Sequence, residues 1–241
     1  MPSKTRLKLF LPGLVLLLFL ACGHQREQQR NILNDLKLMQ LAVASRQEIP
    51  PPSEDPERYG KWDALVRDHY EQLVKVAALN KEFLSLVQEA ELWTSPTEWK
   101  DPQKVKATRK KAERLVAIVD DYTVLIDEVT GEKAMERIRS FHFGSRFNDD
   151  YSKALREHAD MLGELSAFMA TTRNWAQRMA ELLALVDEKL VKMDGKIPKF
   201  EMIEDAERYR SLNNRIQEEK QVLSGQAVRY LQRYKDSQKG M

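Results

Sequence analysis

The chain has 241 residues, with 39 basic and 37 acidic side chains, nine glycines, nine prolines and a single cysteine. One cysteine excludes a disulfide scaffold, and the near-even charge excludes the strongly basic footprint of a nucleic-acid binder. Sparse glycine and proline, with charged residues at 32% of the chain, is the composition of long helices, and no alternating apolar and polar run reads as a strand.

Lys4, Arg6 and Lys8 precede an apolar run from Leu9 to Ala21 that stops at Cys22. The run is shorter than the roughly 20 apolar residues of a spanning helix, and Pro12 and Gly13 interrupt it. A basic start, a short apolar stretch and a small residue at its end are the layout of a secretory signal. The residues Leu18-Phe19-Leu20-Ala21-Cys22 resemble the lipobox of bacterial lipoproteins. That resemblance implies cleavage before Cys22 and acylation of Cys22, palmitate included. With Gly23 rather than aspartate next, it also implies an outer-membrane anchor facing the periplasm. Lipid attachment is a use for a lone cysteine that needs no partner thiol. Each buried methylene adds about 0.8 kcal/mol, and two chains anchor stably. The competing reading is an ordinary signal, or an uncleaved anchor, with an incidental cysteine. The leader carries three of the 39 basic residues and no acidic ones, so 36 basic and 37 acidic residues remain without it. The expected organisation is a signal peptide over 1–21, an anchored first helix and proline-rich linker over 22–60, and a helical-bundle domain over 61–241.

The first helix is expected from about Gln25 to Arg46, with Ile32, Leu36, Met39 and Val43 on one stripe. Pro50, Pro51, Pro52 and Pro56 follow and read as an extended linker. A second helix, about Lys61 to Trp93, has heptad rows Trp62, His69, Val76, Phe83, Ala90 and Leu65, Gln72, Leu79, Leu86, Trp93. Asp101 before Pro102 reads as the N-cap of a third helix reaching Val129. Its rows are Val105, Ala112, Val119, Ile126 and Thr108, Leu115, Tyr122, Val129, and Ile118 and Leu125 widen the face. The longest helix is expected over about Asp149 to Met193, with three seam rows, and Gly195 near its C-cap. The last runs from about Met202 to Tyr234, with one apolar row and one half-polar row, and is expected to be the most exposed. Three rows per heptad mark burial against more than one neighbour. The fold class is therefore all-α, an antiparallel bundle of long helices with coiled-coil-like heptad packing.

Candidate sites are few. His69 and His158 occupy seam positions, where facing imidazoles could hold a metal. Asp68 and Glu157 are their immediate neighbours and point elsewhere, so a polar layer that sets helix register is favoured, and no metal or other cofactor is expected. No Gly-x-Ser-x-Gly elbow and no phosphate loop occurs, so the chain does not read as an enzyme. The stretch with Lys104, Lys106, Arg109, Lys110, Lys111 and Arg114 reads as a solvated helix start rather than a patch for anionic headgroups. Phe141, Phe143, Arg146 and Phe147 sit in a helix break, where they suit contact with a partner or membrane, or a plug for the end of the core.

Three further pairs, Gln29-Arg30, Ile49-Pro50 and Tyr59-Gly60, resemble a family of uncharacterised Gram-negative envelope lipoproteins that carry a domain of unknown function. The resemblance reaches Phe83 and transfers no site residues. The functional expectation is a lipid-anchored envelope protein with a non-enzymatic scaffold or protein-binding role. Its partners would be the membrane, through its lipid, and another envelope protein, and no nucleic acid. The alternative is a periplasmic bundle that binds a lipid or small ligand along Met161, Phe168, Met169, Trp175 and Met179.

Overall fold

The computed structural model describes residues 26–45, 47–93, 95, 98–130, 136, 139–140, 149, 152–153 and 159–239. Among them the chain is an all-α helical bundle. Its long helices are α1 (Arg26–Ser45), α2 (Asp63–Trp93), α3 (Pro102–Thr130), α4 (Ala159–Lys189) and α5 (Ile203–Lys239). Strands β1 (Leu190–Asp194) and β2 (Ile197–Phe200) form an antiparallel pair. The chain divides into two compact units, Met1–Asn80 with Val124–Leu162, and Lys81–Thr123 with Gly163–Met241. Residues of α2 and α3 belong to both.

In the first unit, α1 buries Ile32, Leu36, Met39 and Val43, the stripe its spacing demands. From α2 the unit buries Leu65, Val66, His69, Gln72, Leu73 and Val76. The proline-rich segment has no regular structure over 47–53 but is not loose. It buries Ile49, Pro52, Tyr59 and Trp62, and two 3-10 turns, Pro56–Arg58 and Gly60–Trp62, lead it into α2.

The antiparallel register of the second unit is traced by ion pairs in which one residue number rises as the other falls. Glu82 and Glu89 of α2 meet Arg114 and Lys111 of α3. Arg109 and Asp120 of α3 meet Glu188 and Arg173 of α4. Glu164 and Arg178 of α4 meet Arg229 and Glu219 of α5. Between the helices lie the heptad rows. Phe83, Leu86, Ala90 and Trp93 of α2 are buried, as are Val105, Ala112, Leu115, Ile118, Val119 and Tyr122 of α3. Phe83 meets Tyr122 edge to face, with ring centroids 5.9 Å apart. From α4 come three rows, among them Phe168 and Trp175, Met169 and Leu183, and Leu165 and Met179. Burying one such side chain is worth roughly 1.5–3 kcal/mol relative to leaving it in water, so these rows supply most of the unit's stability. Helix α5 buries Leu212, Ile216 and Gln226 and leaves Lys220 exposed, the half-polar pattern of its sequence.

Two boundaries differ from expectation. Helix α4 ends at Lys189, and the row members Leu190 and Met193 lie in β1. Gly195, at φ +62°, sits in a two-residue hairpin turn rather than at a helix C-cap. A turn that short needs a left-handed residue, which glycine adopts without strain. The helix reading fails because β-branched Val191 and Ile197 flank an Asp-Gly pair and Pro198, which together favour a hairpin over another helical turn. The strands also escape detection, because a bulge between Leu190 and Lys192 breaks their alternation.

Candidate functional site

The five site residues expected from the sequence, Cys22, Phe141, Phe143, Arg146 and Phe147, all lie outside the described residues. So do the lipobox and His158. Among the described residues no group of three or more His, Cys, Asp or Glu side chains is arranged to hold a metal ion. No described helix is long and apolar enough to cross a membrane.

His69 and Gln72 are both buried in the first unit, one helical turn apart. Thr172, the polar member of the α4 seam, donates to the Phe168 carbonyl at 2.8 Å, so its hydroxyl is satisfied within its own helix. The basic start of α3 is largely neutralised. Lys104 pairs with Glu98 and Arg109 with Glu113, while Lys111 and Arg114 reach Glu89 and Glu82 across to α2. That leaves little concentrated charge for a phosphate surface. Phe168, Met169, Trp175 and Met179 are core residues, and Trp175 stacks on Trp93 at 5.8 Å and 18°.

The most connected polar site joins α1 to the proline-rich segment. Asp35 of α1 accepts from Arg58 Nε at 2.8 Å, from Arg58 Nη2 at 3.0 Å and from the Tyr59 hydroxyl at 2.7 Å. The Tyr59 oxygen in turn accepts from the Ser53 amide at 2.9 Å. Arg67 donates to Asp63 and to the Ser53 carbonyl, which ties the segment to the first turn of α2. Local chemistry bends the chain to fit. Asp55 accepts from the Glu57 amide at 3.0 Å and opens the 3-10 turn that starts at Pro56. Gln28 of α1 donates to the Glu57 carbonyl at 3.0 Å. Its side chain lies 2.5–2.8 Å from where a Cβ on Gly60 would stand, and Gly60 is at φ +56°. Glycine is thus required there twice, by backbone conformation and by space.

The electrostatics of this clasp suit fixed charge. The Arg58 guanidinium holds the Asp35 carboxyl below its ordinary range, the Tyr59 hydroxyl adds to the effect, and partial burial opposes it. Burial and the neighbouring Asp35 push the Tyr59 phenol up. Neither group is thereby tuned for proton transfer near neutrality. Sequence reasoning missed the clasp, since Asp35 alone looks like one more solvated helix charge. Its signal is the Arg58-Tyr59-Gly60 run, three residues with demanding geometry beside the prolines.

No protein-family model matches the chain, and no curated protein or solved structure matches it. Function is therefore argued from its own residues.

Proposed function

We propose that the protein is a lipid-anchored component of the bacterial envelope, held through Cys22 at the outer membrane and facing the periplasm. In this reading it is non-enzymatic and acts as a scaffold or binding partner for another envelope protein. The leader carries the proposal: Lys4, Arg6 and Lys8, then a short apolar run that ends in Ala21-Cys22. Acyl chains on Cys22 would supply the anchoring that no described helix can. The helical body supports a scaffold role, because antiparallel helices with charged outer faces offer long side-chain surfaces to a partner. The reading as a ligand-binding bundle is less well supported, since Trp175 is already stacked on Trp93.

The test is metabolic labelling of the full chain with a clickable fatty acid. Label should enter the wild type and not Cys22→Ala. Crosslinking in intact envelopes, followed by mass spectrometry, should recover an envelope protein with the wild type and less of it with Cys22→Ala. An unlabelled wild type with an intact leader would overturn the anchor.

A further inference from the structure

Helix α1 turns a narrow stripe outward. Its inner stripe, Ile32, Leu36, Met39 and Val43, is buried in the first unit. On the opposite side Leu38 is 56% exposed and Leu41 52%, and Arg30, Asn34 and Lys37 are exposed ahead of them. The intervals 30, 34, 37 and 41 are those of one helix face, with Leu38 at its edge. The stripe is cationic. Arg30 and Lys37 lie on it, while Asp35 is turned aside and already matched by Arg58 and Tyr59. By spacing, Arg26 and Glu27 add one charge of each sign to its first turn, so the balance stays positive.

The clasp fixes this stripe in place. Asp35 accepts from Arg58 and Tyr59, and Gln28 donates to the Glu57 carbonyl. The helix cannot roll to hide its outer face without breaking those bonds.

Chain length identifies the occupant. Helix α1 begins at Arg26, four residues after Cys22. Four residues span at most about 14 Å, so a lipid on Cys22 brings the start of α1 to the membrane surface. Leu41 lies fifteen residues beyond Arg26, about 22 Å along the axis. An upright α1 would hold Leu38 and Leu41 in water, beyond the roughly 8 Å reach of surface charge. Laid flat with its stripe down, the same helix places both leucines at the acyl boundary and Arg30 and Lys37 among anionic headgroups. Its buried stripe then faces away from the bilayer. Size points the same way. Two leucines and two cations are far fewer than the roughly 20–30 residues that a protein partner arriving from solution needs. A surface to which the chain is already tethered needs no such area, because the tether makes the second contact intramolecular.

We propose that the outer stripe of α1 is a membrane-contact face, through which the helix lies along a bilayer bearing anionic phospholipids on Leu38, Leu41, Arg30 and Lys37. The proposal rests on the anchor at Cys22 and adds an orientation to it.

The test uses the full chain, expressed with its leader and left in native membranes, with the photoreactive residue p-benzoylphenylalanine in place of Leu41. Illumination should join the chain to phospholipid, read as a phospholipid-sized increase in mass. The same residue in place of Val74, exposed on α2 of the same unit, should give at least five-fold less. Arg30→Glu with Lys37→Glu should cut the adduct at residue 41 several-fold, and Arg30→Lys with Lys37→Arg should keep it. Protease resistance equal to the wild type checks that each variant is folded. Equal lipid adducts at residues 41 and 74, a yield indifferent to charge reversal, or an adduct at residue 41 with a protein in place of lipid would each overturn the proposal. Any of these in a chain that takes up fatty acid would remove the face and leave the anchor standing. A lipid adduct selective for residue 41 in a chain that takes up no fatty acid would defeat only the anchor.

Discussion

Asp55-Pro56 and Asp101-Pro102 begin in the same way and end differently. In each, the aspartate side chain accepts from an amide two residues on, Glu57 at 3.0 Å and Gln103 at 2.9 Å, and proline supplies a fixed φ. From Asp101 the chain runs on as a 29-residue helix. From Asp55 it makes one 3-10 turn of three residues and stops. The starting signal is shared, so it cannot be what sustains a helix. Behind Pro102 come Val105, Ala112, Leu115 and Val119, a stripe that is buried turn after turn. Behind Pro56 come Arg58 and Tyr59, which are drawn to Asp35, and then Gly60 at φ +56°. A cap opens a helix, periodic burial extends it, and a left-handed glycine held by a side-chain network closes it.

The comparison can be broken most severely at the stripe. Leu115→Ala removes a fully buried side chain and should cost about 2–5 kcal/mol in chemical denaturation. A loss below about 1 kcal/mol would show that α3 does not depend on its buried row. Next comes the network. Asp35→Ala leaves the Tyr59 hydroxyl and Arg58 without their acceptor and should cost about 2–3 kcal/mol, short of a fully buried pair because Arg58 is partly exposed.

The same carboxylate predicts a pH dependence. Its pKa is lowered in the fold, so its contribution is present above the unfolded value of about 3.9 and is lost as pH falls through the folded value. Wild type and Asp35→Asn should therefore differ at pH 7 and converge as pH falls below about 3.9. A difference that stays constant with pH would deny the Asp35 charge its role.

Gly60→Ala should cost about 1–2 kcal/mol for its left-handed backbone, and more for displacing Gln28. Adding Gln28→Ala should recover the second part and leave the first. A Gly60→Ala chain as stable as the wild type would refute both requirements. The cap itself is worth less. Asp101→Ala should cost about 1 kcal/mol, and circular dichroism should show most of α3 retained. The smallest effect belongs to the exposed pair Arg114–Glu82. Arg114→Ala should cost under about 1 kcal/mol and less in high salt, although the pair is bidentate at 2.6 and 2.7 Å. A larger cost would mean that α2 and α3 depend on their ion pairs as well as on their core.

Much of the bundle was legible because burial repeats with the helix. His69, Val76, Phe83 and Ala90 recur every seven residues, and all four are buried. Asp101 capped as its type and the following proline require. The hairpin was not legible, since four- and five-residue strands with a bulge show too little alternation to outweigh the heptads that precede them. For the site the balance reverses. Cys22 and the Phe141 to Phe147 stretch were readable as motifs and lie outside the described residues, while the clasp and the β1–β2 hairpin are described and had no motif. The sequence by itself determined where the long described helices run and which face of each turns inward, although not where α4 gives way to β1, because the periodic information sits within three or four residues of each position. Only the tertiary structure decided that Asp35 meets Arg58 and that Lys192 stands opposite Lys199. The first joins residues 23 positions apart, and the second depends on a register set by one turn and one bulge. Local periodicity carries no record of either.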